Sequence, residues 1–152
     1  MARLLVVHHT PSPSLYSMLE AALAGAREPS IDGVEVVVGP ALGVGAAEVL
    51  AADGYLLGTP ANFGYMSGAL KHFFDQIYYP CLDATRGRPY GVFIHGNNDT
   101  DGAQSSIEKI TAGLEWRLAA RPVQVTGEPG RDGLEACWEL GAAVSASLSL
   151  LE

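Results

Sequence analysis

The sequence predicts an α/β protein: a three-layer α/β/α sandwich around a five-stranded parallel sheet. Two observations carry that expectation. Short apolar runs rich in branched residues alternate, five times, with segments whose apolar positions recur at helical spacing. The 152 residues suit one domain, 1–152, long enough to bury a core without disulfides or a structural metal. Strands joined through helices run parallel, and a parallel sheet is covered on both faces.

The elements follow in order. Leu4 to Val7 is the first buried strand. Ser12 can cap the helix that follows, with Pro13 at its first position, where a missing N–H costs nothing. Leu15, Met18, Leu19, Ala22, Leu23 and Ala26 mark that helix's apolar face. Val34 to Val38 is the second strand, and the small-residue stretch Pro40 to Ala52 has room for one short helix. Gly54 to Gly58 is the third strand, running into a turn-forming loop, Thr59 to Gly64. Met66, Leu70, Phe73, Phe74 and Ile77 mark a helix face, and Tyr78 to Pro89 reads as an irregular connection. Tyr90 to Ile94 is the fourth strand. Asp101 and Gln104 have capping-box spacing ahead of Ile107, Ile110 and Leu114. Val123 to Val125 is a weaker fifth strand. Asp132 and Glu135 repeat the box spacing before the last helix, with Leu134, Trp138, Gly141, Val144, Leu148 and Leu151 on one face.

Alternation alone leaves two strand orders open, that of the dinucleotide-binding proteins and 2-1-3-4-5. Five strands in a chain of this length favour the second. In that order strands one, three and four lie side by side. Ligands bind outside the carboxyl ends of parallel strands, so the loops leaving those three would share one site.

Composition narrows the partners. Seventeen acids against nine bases give a formal charge of −8. Duplex nucleic acid and anionic membrane surfaces both call for a basic face, so neither is expected as a partner. No run reaches about 18 consecutive apolar residues, the length of a membrane span. The apolar run at the N-terminus is too short for a signal-peptide core. Cys81 and Cys137 are too few for a disulfide framework, so two free thiols and a cytoplasmic location are expected.

Each of the three loops has chemistry of its own. Thr10 to Ser14 offers three hydroxyls and the N–H groups of a helix start, a cradle for a phosphate monoester without Lys or Arg. The plain alternative is a capped helix start. In the second loop, Pro60 and Gly64 give stiffness and close backbone approach, and Asn62 and Phe63 give an amide and an aromatic face suited to a planar heterocycle. The alternative is a tight turn with Phe63 in the core. The third loop, His95 to Gly102, carries amides that can pair with a heterocycle edge, or it is a solvated turn. His8 and His9 end the first strand, either beside an anion or as structural residues. Neither the Gly-Lys-Ser/Thr phosphate loop nor Gly-x-Gly-x-x-Gly occurs in these loops. No Gly-x-Ser-x-Gly nucleophile turn and no metal-ligand spacing is present.

The string Gly58-Thr59-Pro60-Ala61-Asn62-Phe63-Gly64-Tyr65-Met66-Ser67-Gly68-Ala69-Leu70-Lys71-His72-Phe73-Phe74-Asp75 resembles the Gly-Thr-Pro…Phe-Gly-x-Met-Ser-Gly-x-(Leu/Met)-Lys-x-Phe-x-Asp segment of the flavodoxin-like NAD(P)H:quinone oxidoreductases and FMN reductases. The similarity is sharp over residues 54–77 and extends to the layout of the whole chain. It implies a flavodoxin-like fold and FMN as cofactor. Carried over by position, it places Thr10, Ser12, Ser14 and Leu15 at the phosphate. It places Pro60, Ala61, Asn62, Phe63 and Gly64 along the isoalloxazine, and His95, Gly96, Asn97, Asn98 and Gly102 on its other side. Pro11 and Pro13 depart from the family's first loop, and Asn97-Asn98-Asp99 replaces a Ser/Thr-rich run. The implied activity takes electrons from NADH or NADPH to a quinone, a flavin or a similar small-molecule acceptor. No side chain is expected to act as a catalytic acid or base, because the flavin carries the chemistry. A homodimer is expected, with Phe63, Tyr65, Tyr78 and Tyr79 at the contact. The alternative function is a one-electron carrier of the flavodoxin type, docking through an acidic face. A domain of this fold that has lost its cofactor is a third reading.

Overall fold

The computed structural model of the chain describes residues 1–150; Leu151, expected on the last helix face, lies outside them. Seven strands and five helices are described. They are β1 (Ala2–His8), α1 (Pro13–Ala26), β2 (Val34–Pro40), α2 (Ala46–Ala51), β3 (Gly54–Asn62) and β4 (Tyr65–Met66). Then come α3 (Gly68–Cys81), β5 (Pro89–Gly96), α4 (Thr100–Leu114), β6 (Arg117–Leu118), β7 (Val123–Thr126) and α5 (Gly130–Ser149).

The sheet runs β2-β1-β3-β5, and β6 and β7 both pair with the outer side of β5, all parallel. The expected order 2-1-3-4-5 is therefore present, with its fifth strand in two pieces. Ala119 to Pro122 interrupts that strand, and Pro122 has no N–H to give a ladder.

Period-two alternation divides the core. Leu5, Val7, Tyr55, Leu57, Val92 and Ile94 face α2, α3 and α4. Leu4, Val6, Leu56 and Phe93 face α1 and α5, against Leu15, Met18, Leu140, Val144 and Leu148. Both faces are covered, which is why the strands read as continuous apolar runs. Ser12 caps α1 as expected: its Oγ accepts from the Leu15 N–H at 3.2 Å, with Pro13 in the first turn.

Four local expectations differ from the structure. The strand expected to end at Gly58 continues to Asn62 and folds back on β4, with Ala61 opposite Met66 and Asn62 opposite Tyr65. Thr59 fastens this extension, its hydroxyl accepting from the Ser67 N–H at 3.0 Å and donating to the Pro60 carbonyl at 2.9 Å. Helix α3 continues to Cys81 with Pro80 in its last turn, so the irregular connection is shorter than expected. Asp99, not Asp101, caps α4, while Gln104 donates to Glu108 and accepts from Gln124. Helix α5 starts at Gly130 after Pro129, whose φ of −66° is already helical, so the Asp132 and Glu135 pair lies inside the helix.

Candidate functional site

The carboxyl ends of β1, β3 and β5 are neighbours, so the three loops of interest share one edge of the sheet. Residues 9–12 leave β1, the β3–β4 hairpin leaves β3, and residues 97–99 leave β5.

The first loop is a capped helix start that leaves hydrogen-bond donors unused. Thr10, Ser12 and Ser14 are all half-buried. Ser12 Oγ accepts from Leu15, which leaves its O–H free to donate. Pro13 has no N–H and the Leu15 N–H is taken, so the Ser14 N–H is the one in the first turn without a partner among the described residues. The Leu15 side chain is buried in the core. No acid stands in the first turn of α1, whereas Glu48, Asp101 and Asp132 stand in those of α2, α4 and α5. The positive end of α1 is thus not neutralised by a carboxylate. Two histidines lie at its base. His8 Nδ1 is 3.1 Å from Thr10 Oγ1, and burial, then the neighbouring His9, lower the His8 pKa below its ordinary value. His9 Nδ1 is buried and has no hydrogen-bond partner among the described residues. A buried polar atom left unpaired calls for an explanation, and sequence spacing gave no sign of it.

The second loop is a two-residue hairpin turn. Phe63 (φ +54°) and Gly64 (φ +68°) both adopt the left-handed conformation, as a type I′ turn requires. Glycine does this freely; phenylalanine does so at a cost. Phe63 is also fully exposed, which removes the reading of it as a core residue. Pro60 and Ala61 are half-buried strand residues, and Asn62 is exposed at the strand end.

The third loop touches the second. Asp99 is left-handed at φ +46°, and its Oδ1 accepts from the Gly102 N–H at 3.0 Å. A Cβ on Gly64 would stand 2.2 Å from Asp99 Oδ2, and one on Gly102 would stand 2.3 Å from the Gly64 carbonyl. Only glycine allows this approach. His95 Nε2 lies 2.7 Å from the Gly127 carbonyl. A carbonyl only accepts, so Nε2 carries the proton and that edge of the ring is turned toward the end of β7. Gly96 is buried, while Asn97 and Asn98 are exposed. The second and third loops therefore meet in one ledge, on which Asn62, Phe63, Asn97, Asn98 and Asp99 are exposed, while Leu15 and Gly96 are buried and the first loop, with His9, leaves β1 at the same edge of the sheet. A cleft of about 420 Å³ lies elsewhere, at the far edge of the sheet between β7 and α5, lined by residues that include Arg121, Pro122 and Leu140.

A family model described as NADPH-dependent FMN reductase matches residues 11–126. The chain belongs to that family. FMN is the cofactor that the family's description carries, as the resemblance of residues 58–75 implied. An NAD(P)H dehydrogenase (quinone) of Syntrophobacter fumaroxidans is 28% identical over 172 aligned positions, covering 95% of this chain and 83% of the relative. A flavodoxin of Aquifex aeolicus is 35% identical over 77 residues, 51% of this chain. In that alignment the chain spans 40% of the relative's length. Among solved structures, a WrbA-like flavodoxin from Agrobacterium tumefaciens superposes with a TM-score of 0.79 at 17% identity, covering 100% of both chains. That likeness establishes the flavodoxin-like fold for this member of the FMN reductase family. Among the described residues no helix is long and apolar enough to cross a membrane.

Proposed function

We propose that this chain is an FMN-dependent oxidoreductase that takes electrons from NADH or NADPH and delivers them to a quinone, a free flavin or a similar small molecule. The observation that carries the proposal is Phe63, a fully exposed aromatic held in a left-handed turn at the carboxyl edge of the sheet. The left-handed turn serves the hairpin, but a bulky ring is an unfavourable choice for that position and, fully exposed, packs against nothing in the fold, which supports a ligand there. A flat heterocycle stacked there would cover the ring.

The residues below Phe63 fit FMN. The hydroxyls of Thr10, Ser12 and Ser14, with the Ser14 N–H, would hold the phosphate at a helix end free of acids. The orphaned His9 Nδ1, a buried polar atom at the base of the same loop, supports a polar ligand group bound nearby. Asn62, Phe63, Asn97 and Asn98 would flank the isoalloxazine, with the Ala61, Gly64, Gly96 and Gly102 backbones close by and Pro60 and His95 at its rim. FMN, when bound, supplies a ring that accepts two electrons as a hydride and passes them on. The protein's part is to bind the phosphate, set the ring's tilt, and leave one face open to the nicotinamide.

The first loop offers hydroxyls and one N–H, free among the described residues, that would suit a single terminal phosphate, and its sequence carries no dinucleotide fingerprint for a second nucleotide half. Calorimetry is therefore expected to show tight binding of FMN and markedly weaker binding of FAD. Equal affinities, or no binding of either, would contradict the proposal.

A second reading, a one-electron carrier, draws support from the charge of −8 and from the acids Asp99, Asp101, Glu128 and Asp132 near the carboxyl edge. The reductase is favoured because the long string around Phe63 is the one shared with reductases.

The chain is also proposed to form a homodimer, although the four aromatics expected at its contact do not lie at one edge of the sheet. Tyr65 is exposed next to the hairpin tip that carries Phe63, while Tyr79 is exposed in the last turn of α3, at the other end of that helix, where Tyr78 packs edge-on against it with ring centroids 5.3 Å apart. Aromatic surface of this kind suits an interface core. Sedimentation at micromolar concentration is expected to give twice the 15.9 kDa chain mass; a 15.9 kDa species alone would remove the dimer.

A further inference from the structure

We propose that Asp99 sets the reduction potential of the bound flavin by holding a fixed carboxylate where the two loops beside the ring meet. This rests on the FMN reading above and deepens it.

The backbone conformation and two contacts fix the carboxylate. Asp99 starts α4 from a left-handed backbone, which turns its side chain back over the first turn. One oxygen, Oδ1, accepts from the Gly102 N–H at 3.0 Å. The other, Oδ2, sits so close to the hairpin tip that a Cβ on Gly64 would be 2.2 Å from it. The Gly64 carbonyl in turn lies against Gly102. One side chain therefore caps a helix and packs on the turn that carries Phe63. The capping role alone asks for no charge, since Asn and Ser cap as well as Asp.

The charge is also unneutralised. Ion pairs among the described residues include Arg3 with Glu35, Lys71 with Asp75, and Arg86 with Asp83 and Glu115. None includes Asp99. The nearest imidazole of the third loop, His95, is engaged with the Gly127 carbonyl. Reduction of a flavin adds electron density to its ring. A fixed negative charge beside the ring raises the free energy of the reduced form more than that of the oxidised form. The site thus binds oxidised FMN preferentially and keeps the reduced ring a strong donor toward its acceptor. Because the carboxylate is already held, no reorganisation is spent on placing it.

Asp99→Asn separates charge from position. The amide oxygen can still accept from Gly102, and asparagine tolerates the left-handed conformation. Dissociation constants for oxidised and dithionite-reduced FMN are measured on wild type and variant, with thermal melts of each. The expected result is a three- to tenfold gain in the preference for reduced FMN, roughly 15 to 30 mV upward for a two-electron couple. Asp101→Asn removes the same charge two residues on, without the hairpin contact, and should shift the ratio less than half as much. Asp99→Ser keeps a short capping oxygen and should match Asp99→Asn, which guards against a variant that fails to fold. An unchanged ratio in both Asp99 variants, or an equal shift in Asp101→Asn, overturns the proposal. So does loss of FMN binding by both Asp99 variants with their melts intact, which would make Asp99 a ligand rather than a potential-setting charge. Failure of wild type to bind FMN is seen before any variant is made, and it removes the FMN reading itself.

Discussion

Alanine at both Ser12 and Ser14 is expected to weaken FMN binding by roughly 30- to 1000-fold, the loss of about 2–4 kcal/mol in hydrogen bonds to an anion. Riboflavin, which has no phosphate, should bind within a few-fold of its wild-type affinity. Ser12 has two tasks, because its Oγ also accepts from the Leu15 N–H. Losing that cap costs about 1 kcal/mol of fold stability. Ser14 carries no such bond among the described residues, so Ser14→Ala alone should lower FMN affinity, about tenfold, without moving the melting temperature. An equal loss for FMN and riboflavin would mean that the helix start had been damaged and that the hydroxyls do not hold the phosphate.

Phe63→Ala is expected to slow reduction of the bound flavin by roughly 10- to 100-fold, because hydride transfer depends on ring geometry at the scale of an ångström. FMN affinity should fall less, by the roughly 0.5–1.5 kcal/mol of a lost aromatic contact. The phosphate contacts are on a different loop and stay. Stability should be unchanged within about 0.5 kcal/mol, since the side chain is fully exposed. Stopped-flow absorbance and calorimetry on the same preparation separate the two effects. A variant that loses affinity and rate in equal measure would reduce Phe63 to a binding contact.

The layers of this fold are legible in the chain because both faces of the sheet are buried. Leu4 to Val7, Leu56 to Leu57 and Val92 to Ile94 are apolar without a break, and the helices between them repeat at 3.6. The cap of α1 is legible for the same local reason, Ser12 followed by Pro13. Local rules fail where a tertiary contact competes. Asp101 and Gln104 satisfy the capping-box spacing, but the closer packing of Asp99 on Gly64 places the helix start two residues earlier. Pro60 reads as a strand breaker, yet β3 passes through it because Thr59 is fastened to Ser67 and a hairpin partner waits at Tyr65 and Met66. Pro129 presets a helical φ, so α5 begins before the box at Asp132.

The site follows the same division. Thr10, Ser12, Ser14, Asn62, Phe63, Asn97 and Asn98 stand out by residue type in loops that the strand order brings to one edge. For Phe63 the sequence leaves core and ledge equally open, and only the left-handed turn and the exposed ring decide between them. His9 and Asp99 depend on what lies beside them in space. An unpaired buried nitrogen and a carboxylate pressed on a glycine have no signature in a linear pattern.

On the proposed function, the ledge holds FMN for two-electron exchange with a nicotinamide donor. Anaerobic titration of the FMN-loaded protein with NADH and with NADPH, followed by visible absorbance, tests it most directly. At least one nucleotide is expected to bleach the oxidised flavin band within seconds, with one equivalent of nucleotide consumed per FMN. If neither nucleotide bleaches the band while dithionite does so fully, the claim is contradicted and the carrier reading takes its place.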